Sequence, residues 1–318
     1  MKTSDRMEIK KNAQVAVIGA GAVGLSWTAL FLANGLKVTI YDPRPDIRIA
    51  ALSGLDLIKW SLMSLGYNVE KFTRQLCFEE KLHKAVGDAD IIQESIPEEV
   101  EAKQSLYEKL ERFARPSAII LSSSASLPAS VITKKMKDAG QVLVGHSADP
   151  PHLMPLVEVV PGSRTSKDCI ERAMAFYLRI GKCPVLVRKE VPGFVVNRLH
   201  FALLRESIHL VNSGVISVDR LDEVVSASLG PRWTAAGPFK ALALGSGPEG
   251  FAHFLEHSGP MMEQVWQGMG HVKLDAETTA RLCKQADDCY ACAPREDLIK
   301  ERDEQQIAIL NALKNRKR

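Results

Sequence analysis

The chain has 318 residues, of which 46% are hydrophobic and 25% are charged, and its formal net charge is +3. This composition excludes a disordered chain, and the charge is too small for a typical nucleic-acid-binding protein. The length predicts about two domains. Because the net charge is small, we expect no nucleic-acid partner. No apolar run reaches the roughly 18 residues of a membrane-spanning helix, so we expect no membrane partner either. Six cysteines do not make a disulfide scaffold, which favours a cytoplasmic protein with reduced thiols.

Short apolar runs typical of buried strands alternate with helical stretches in the first half of the chain. The runs cover residues 15–18, 38–41, 90–93, 118–121 and 141–144, and two later runs, 156–160 and 185–187, extend the series. Between the first two runs, Val23, Trp27, Leu30 and Phe31 share one helix face, and Gly35 is a typical helix stop. This alternation predicts an α/β fold with a Rossmann-type, doubly wound, mostly parallel sheet.

A glycine-rich motif of the form G-x-G-x-x-G joins the first strand to this helix, at Gly19, Gly21 and Gly24. In that setting the first glycine permits a tight turn, the second lets a pyrophosphate approach the backbone, and the third lets helix and strand pack closely. Asp42 ends the second strand, where a carboxylate accepts a ribose 2′-hydroxyl and repels a 2′-phosphate. The motif therefore predicts NAD as cofactor, with Arg44 close enough to weaken the preference over NADP. FAD and a glycine-rich turn without a ligand are the alternatives.

Two predicted strand ends carry residues suited to chemistry, because ligands of open parallel sheets bind beyond the carboxyl ends of the strands. A serine-rich segment, residues 122–126, follows the fourth run, and His146 follows the fifth. A histidine that faces a nicotinamide is a suitable general base, and Glu158 could fix its tautomer and stabilise the imidazolium. Asn197 could hydrogen-bond a substrate oxygen from a cleft between the domains. A hydrogen-bonded structural histidine is the alternative.

Helical periodicity replaces the strand signals after residues 192–193. We therefore expect an NAD-binding domain over residues 1–191 and a mainly helical substrate domain over residues 192–318. Arg232 is a candidate anchor for a substrate carboxylate, with a structural ion pair as the alternative. Cys289 and Cys292 form a C-x-x-C without the second pair that a zinc site needs, so we expect no metal.

Five stretches of the chain carry a resemblance to a known family. They are residues 15–24 (VAVIGAGAVG), 93–98 (QESIPE), 150–158 (PPHLMPLVE), 192–198 (PGFVVNR) and 232–238 (RWTAAGP). Together they resemble the 3-hydroxyacyl-CoA dehydrogenase superfamily. The form of the second stretch is similar to the short branch that includes lambda-crystallin, an L-gulonate 3-dehydrogenase.

The resemblance implies an NAD-dependent enzyme that interconverts a 3-hydroxy group and a ketone on a 3-hydroxyacyl substrate, either a CoA thioester or a free acid. It also implies a homodimer formed through the helical domain. The catalytic residues that it implies are His146, Glu158 and Asn197. The cofactor contacts that it implies are Ala22, Val23, Asp42, Glu98 and Lys103.

Two positions depart from the family pattern. Ala125 stands where the family typically has a serine that binds the substrate oxygen, so Ser124 or Ser126 would have to replace that hydroxyl. Asp149 stands in place of an asparagine, beside small residues where the family has bulky ones. Loss of one donor to a developing alkoxide would cost about 2.7–4 kcal/mol of transition-state stabilisation. We therefore expect a specialised substrate, such as a carnitine-like cation or an imine. A non-catalytic, crystallin-like NAD-binding protein is the alternative from another class.

Overall fold

The computed structural model describes residues 13–248 and 250–314. Within these ranges the chain forms two compact units. The first contains the chain up to Arg198 together with the segment from Glu301 onward, and the second is Leu199–Lys300. The domain limits expected above, 1–191 and 192–318, stay a prediction, and they include residues 1–12 and 315–318, which lie outside the described ranges.

Among the described residues, an eight-stranded sheet forms the centre of the first unit. Its strands are β1 Gln14–Ile18, β2 Lys37–Tyr41, β3 Leu76–Phe78, β4 Ile91–Glu94, β5 Ile119–Ser122, β6 Val142–Ser147, β7 Leu156–Pro161 and β8 Cys183–Leu186. Their order is β3-β2-β1-β4-β5-β6-β7-β8, and every neighbouring pair is parallel except β6 and β7. The predicted Rossmann-type, mostly parallel sheet is confirmed. Sequence analysis missed β3, because three residues are too few to carry a pattern.

Helices connect these strands and make up the second unit. Those of the first unit are α1 Ala22–Ala33, α2 Ile47–Ser64, α3 Leu82–Gly87, α4 Val100–Phe113, α5 Ala129–Ile132 and α6 Lys167–Arg179, with a 3-10 turn at Phe72–Gln75. The chain continues with α7 Val196–Asn212, α8 Val218–Val224, a π-helical turn Val225–Leu229, α9 Gly230–Ala235, α10 Pro238–Gly245, α11 Gly250–Gly268, α12 Ala276–Tyr290 and α13 Arg295–Lys314. None of these described helices is long and apolar enough to cross a membrane.

Alternate residues of the strands point to opposite faces of the sheet and bury against different helices. Val15 and Val17 of β1 belong to a core shared with α1, α2 and α6, whereas Ala16 and Ile18 belong to a core shared with α3, α4 and α5. Both faces of the sheet are therefore covered. This leaves the carboxyl ends of the strands as the place where a ligand can reach the sheet.

The predicted apolar face of α1 fixes this helix on the sheet. Trp27, Leu30 and Phe31 are buried, and the rings of Trp27 and Phe31 stack with centroids 5.4 Å apart. The helix ends at Ala33, and Gly35 has a φ of 74°, which side chains with a Cβ rarely adopt. Aromatic packing thus holds the start of α1 directly after β1, where the glycine-rich turn lies.

The last helix, α13, returns to the first unit. Ile307 packs against Leu65 and Leu153, and the Lys314 ammonium donates to the Leu65 carbonyl at 2.7 Å. These contacts belong to the first unit, which includes the chain from Glu301 onward. The sequence of α13 does not show this packing, because Leu65 lies 249 residues before Lys314 in the chain.

The helices of the second unit leave much apolar surface uncovered. Phe239, Leu244, Met261 and Trp266 are all exposed, although such side chains are normally buried. On α7 the expected apolar stripe is only partly covered, because Val211 is buried and Phe201 is not.

Candidate active site

The three motif glycines occupy positions with different steric demands. Gly19 has a φ of 86°, and a Cβ there would lie 2.7 Å from the Ser95 carbonyl oxygen. A Cβ on Gly24 would lie only 2.0 Å from the carbonyl oxygen of Gly19. A Cβ on Gly21 would meet nothing within 4 Å. The first and third positions therefore need glycine for the fold, and the second faces open space that a ligand can enter.

The first turn of α1 borders this open space. Gly21 caps the helix without a side chain of its own, the first turn holds no acidic residue, and no side chain in the described part of the chain accepts the first N–H groups. The amides of Ala22 and Val23 are thus unpaired donors at the positive end of the helix dipole. This arrangement fits the pyrophosphate of a dinucleotide, which Gly21, Ala22 and Val23 would hold.

Asp42 follows β2, and its carboxylate is held from two sides. The Ala20 N–H donates to Oδ2 at 2.8 Å, and the Arg44 guanidinium donates to Oδ1 at 2.8 Å and to Oδ2 at 3.0 Å. Burial raises the pKa of the Asp42 carboxyl, but the hydrogen bonds from Arg44 and Ala20 outweigh burial, so the pKa lies below its ordinary value. Asp42 is therefore ionised, as a group that binds a ribose hydroxyl and repels a phosphate should be.

A buried ion pair lies beneath the loop that follows β4. Lys103 Nζ is 2.7 Å from Oε1 of Glu94, and both side chains are almost fully buried. Glu94 also accepts hydrogen bonds from the Ser122 hydroxyl at 2.6 Å and the Ile96 N–H at 2.8 Å. Sequence analysis missed Glu94, although an acid at the end of a buried strand was a usable signal. The cofactor contact proposed for Lys103 stays a prediction, since its ammonium lies inside this pair.

Glu98 organises the loop that follows β5. Its Oε1 lies within 2.6–3.1 Å of five donors, which are the N–H groups of Ala125, Ser126 and Leu127 and the hydroxyls of Ser124 and Ser126. Burial raises the pKa of Glu98, but these hydrogen bonds, the Ser124 hydroxyl first, hold it below the ordinary value. Ser124 and Ser126, the candidates to replace the hydroxyl missing at position 125, both bind Glu98 through their hydroxyls, and Ser124 is buried. Their contact with a substrate stays a prediction.

A histidine–carboxylate pair lies on β6 and β7. These antiparallel strands place His146 opposite Glu158, with His146 Nδ1 2.7 Å from Oε2 of Glu158 and both side chains buried. Oε1 of Glu158 accepts the N–H groups of Val195 at 2.8 Å and Val196 at 3.1 Å. Burial raises the pKa of Glu158, but the hydrogen bonds from His146 and these two amides outweigh it and lower the pKa. Glu158 is therefore an ionised acceptor.

Phe194 closes one side of this pair, and sequence analysis did not single it out. Its ring is buried, with its centroid 5.4 Å from that of His146. Its φ is 49°, a left-handed conformation that is uncommon for a residue with a side chain, and it follows Gly193 at a φ of 75°. This turn directs the next two amides to Glu158, so the strain lies where the pair is fixed.

Asn197 is joined to the same region through the loop after β5. Its amide Nδ2 donates to the carbonyl oxygen of Ala125 at 3.0 Å. Because the start of α7 also supplies an amide bound by Glu158, the first unit itself brings His146, Glu158, Asn197 and the Glu98 loop into one connected set.

The two remaining predicted substrate residues are both exposed. Asp149 lies in the loop between β6 and β7, three residues after His146, and it has no hydrogen-bond or ion-pair partner among the described residues. Arg232 lies on α9 of the second unit.

The C-x-x-C sequence does not form a metal centre in the described part of the chain. Cys289 is half-buried, Cys292 is exposed, and the Cys292 thiol lies 3.6 Å from the Cys289 carbonyl oxygen. Within residues 13–248 and 250–314, no group of three or more His, Cys, Asp or Glu side chains could hold a metal ion.

Two sequence models of known families match the chain. The NAD-binding domain of 3-hydroxyacyl-CoA dehydrogenase matches residues 14–191, and the C-terminal domain of the same enzyme matches residues 193–274. The chain belongs to the 3-hydroxyacyl-CoA dehydrogenase family. This confirms the predicted superfamily and NAD as the cofactor, and members of this family are NAD-dependent dehydrogenases.

The relatives of this dehydrogenase are named after different substrates. An L-carnitine dehydrogenase of Streptomyces coelicolor is 37% identical over 300 residues, covering 94% of each chain. A 3-hydroxyacyl-CoA dehydrogenase of Gibberella moniliformis is 41% identical over 249 residues, covering 77% of each. A solved structure superposes with a TM-score of 0.83 at 27% identity, covering 96% of this chain and all of the other. It is a 5-formyl-3-hydroxy-2-methylpyridine 4-carboxylic acid 5-dehydrogenase, an NAD+-dependent dismutase.

Proposed function

We propose that this dehydrogenase interconverts a 3-hydroxy group and a ketone on a 3-hydroxy acid or 3-hydroxyacyl substrate, with His146 as general base. The observation that carries the proposal is the buried pair of His146 and Glu158, 2.7 Å apart, with the second oxygen of Glu158 fixed by the amides that lead into α7. Bound NAD+ supplies the hydride acceptor. The protein's own side chains have to remove the hydroxyl proton and hold the oxygen.

The hydrogen bonds around Glu158 assign the proton on His146. An ionised carboxylate can only accept, so Nδ1 of His146 has to donate to it. In the neutral imidazole Nε2 then carries no proton and can take the proton of a substrate hydroxyl. Glu158 stabilises the imidazolium that results, and the amides of Val195 and Val196 keep the carboxylate in place.

Asn197 is the proposed donor to the substrate oxygen. One N–H of its side-chain amide is used by the Ala125 carbonyl at 3.0 Å, which leaves the other available. Position 125 offers no hydroxyl, and the neighbouring serines bind Glu98. Asn197 therefore carries a function that the family divides between an amide and a hydroxyl. We assign Ser124 to holding Glu98 rather than to the substrate.

Among 3-hydroxy acids, the site favours one with a cationic group, as in carnitine. Asp149 places an unpaired, exposed carboxylate three residues from His146, and a substrate ammonium would neutralise it. The relatives that are named L-carnitine dehydrogenases match over almost the whole chain. A 3-hydroxyacyl-CoA thioester has no cationic group beside the reacting hydroxyl that could neutralise Asp149.

The experiment compares L-carnitine with 3-hydroxy-5,5-dimethylhexanoate, its carbon isostere without the cationic group, and with 3-hydroxybutyryl-CoA, by following NADH formation. We expect a higher kcat/KM for carnitine than for the isostere. The substitution Asp149→Asn should lower kcat/KM for carnitine by up to about fivefold, the value of an exposed ion pair, and leave the isostere unchanged. His146→Ala should abolish turnover of both.

Other results would reject parts of this proposal. A higher kcat/KM for the CoA thioester than for carnitine would reject the cationic substrate but keep the 3-hydroxyacyl dehydrogenase. NADH binding without His146-dependent turnover of any of the three substrates would favour the non-catalytic alternative.

We also infer a homodimer formed through the second unit. Four large apolar side chains of α10 and α11 are exposed, Phe239, Leu244, Met261 and Trp266, and exposed apolar surface of this kind is typical of a protein–protein interface. Light scattering should give about twice the chain mass of 35.0 kDa, and Trp266→Asp should shift the mass toward that of one chain. A wild-type mass of one chain at micromolar concentration would contradict the inference.

Three further assignments belong to this proposal. They are the lambda-crystallin branch, a cytoplasmic location, and Arg232 as the anchor of a substrate carboxylate. For Arg232, a rise in KM for carnitine in Arg232→Gln with an unchanged kcat would support the assignment, since lost ground-state binding acts on KM.

A further inference from the structure

The carboxylate of Asp42 has no acceptor position left. Its Oδ1 accepts the Arg44 backbone N–H at 3.1 Å and Arg44 Nε at 2.8 Å, and its Oδ2 accepts the Ala20 N–H at 2.8 Å and Arg44 Nη2 at 3.0 Å. A carboxylate offers about four lone-pair sites, and four donors occupy them here. Nη2 of Arg44 also donates to the Ala20 carbonyl at 2.9 Å, so the guanidinium bridges the end of β2 and the glycine-rich turn.

A ribose 2′-hydroxyl can bind Asp42 only after one of these donors leaves. The two backbone amides are fixed by the turn, so the side chain of Arg44 is the donor that has to move. Its side chain is 47% exposed, whereas that of Asp42 is 7% exposed. Release therefore places the guanidinium in water at little cost, while Asp42 stays in position for the ribose.

We propose that Arg44 determines coenzyme specificity by competing with the ribose of NADH and by binding the 2′-phosphate of NADPH. While the Arg44 guanidinium is bound to Asp42, it blocks the carboxylate and weakens the binding of NADH. When a 2′-phosphate enters, the displaced guanidinium lies next to it and can form a bidentate, charge-assisted pair that offsets the repulsion from Asp42. The protein therefore binds NADPH measurably as well as NADH, although the carboxylate of Asp42 is present.

The test is equilibrium binding of NADH and NADPH to the full chain, measured by energy transfer from tryptophan. In Arg44→Ala, the Kd for NADH should fall about two- to fivefold, because an exposed ion pair no longer competes. The Kd for NADPH should rise about tenfold or more, because the charge-assisted bonds to the phosphate are lost. Arg44→Lys keeps the positive charge but loses the planar guanidinium that can form two parallel hydrogen bonds, so it should retain part of the affinity for NADPH.

Arg48→Ala is the matched control. Arg48 is the next arginine in the chain, and its guanidinium lies over the Phe78 ring, 5.2 Å from the centroid. Its loss should change neither Kd. An unchanged or higher Kd for NADH in Arg44→Ala would overturn the competition, and an unchanged Kd for NADPH would overturn the phosphate contact. Equal changes in Arg48→Ala would reduce both effects to general surface charge and reject the proposal.

Discussion

Replacing Glu158 by glutamine changes the chemistry of the histidine pair while keeping its shape. Glutamine has one acceptor oxygen and one donor NH2 group, whereas the carboxylate accepts on both sides. In the structure one side faces two backbone amides, those of Val195 and Val196, and the other faces His146. The glutamine oxygen should turn to the two amides, because the opposite orientation would place the glutamine NH2 donor against two N–H donors and leave both without an acceptor.

This orientation points the NH2 group of the introduced glutamine at Nδ1 of His146, which then has to accept. The proton moves to Nε2, the atom that the proposed mechanism needs as a base. In a serine protease triad the equivalent change of tautomer lowers kcat about 10⁴-fold. We therefore expect kcat of Glu158→Gln to fall about 10³- to 10⁴-fold, with the Kd for NADH changed less than about twofold.

The assay is steady-state NADH formation from L-carnitine, together with an NADH titration of the same preparation. Glu190→Gln is the control, because Glu190 likewise accepts a backbone N–H, that of Ser130, at 2.9 Å and the Ser130 hydroxyl at 2.5 Å. The Glu190→Gln variant should keep the kcat of the wild type. A kcat for Glu158→Gln within tenfold of the wild type, with the same pH profile, would refute the assigned proton positions.

Two stability predictions follow from other buried groups. Burial lowers the pKa of His152 to about 4, so the unfolded chain binds more protons between pH 6.5 and 4. At 1.36 kcal/mol per pKa unit, stability from this residue falls by about 3 kcal/mol as the pH drops through that window. In His152→Gln the free energy of unfolding in urea should therefore fall less between pH 6.5 and 4 than in the wild type. The same fall in both proteins would contradict this prediction. Gly24→Ala should lower stability by about 1–3 kcal/mol, because its Cβ meets a backbone oxygen. Gly21→Ala should keep the wild-type Tm but raise the Kd for NADH, because its Cβ would occupy the open space at the turn. A lower Tm in Gly21→Ala than in Gly24→Ala would reject this assignment of the two glycines.

The sequence by itself determined the features that depend on neighbouring residues. The apolar runs predicted most of the strands, and the G-x-G-x-x-G spacing predicted the turn into α1, because turn, helix face and strand are set by adjacent residues. The same holds for His146 and Glu158, which lie only twelve residues apart on consecutive strands.

Only the tertiary structure decided which donors each acid accepts. The Glu98 loop, the buried Glu94–Lys103 pair and the strained Phe194 arise from contacts between segments that the topology brings together. No periodicity predicts that Ser124 turns inward to an acid 26 residues away. Hydrogen-bond partners across a fold depend on the register of whole elements, and this register is fixed by packing rather than by the local sequence.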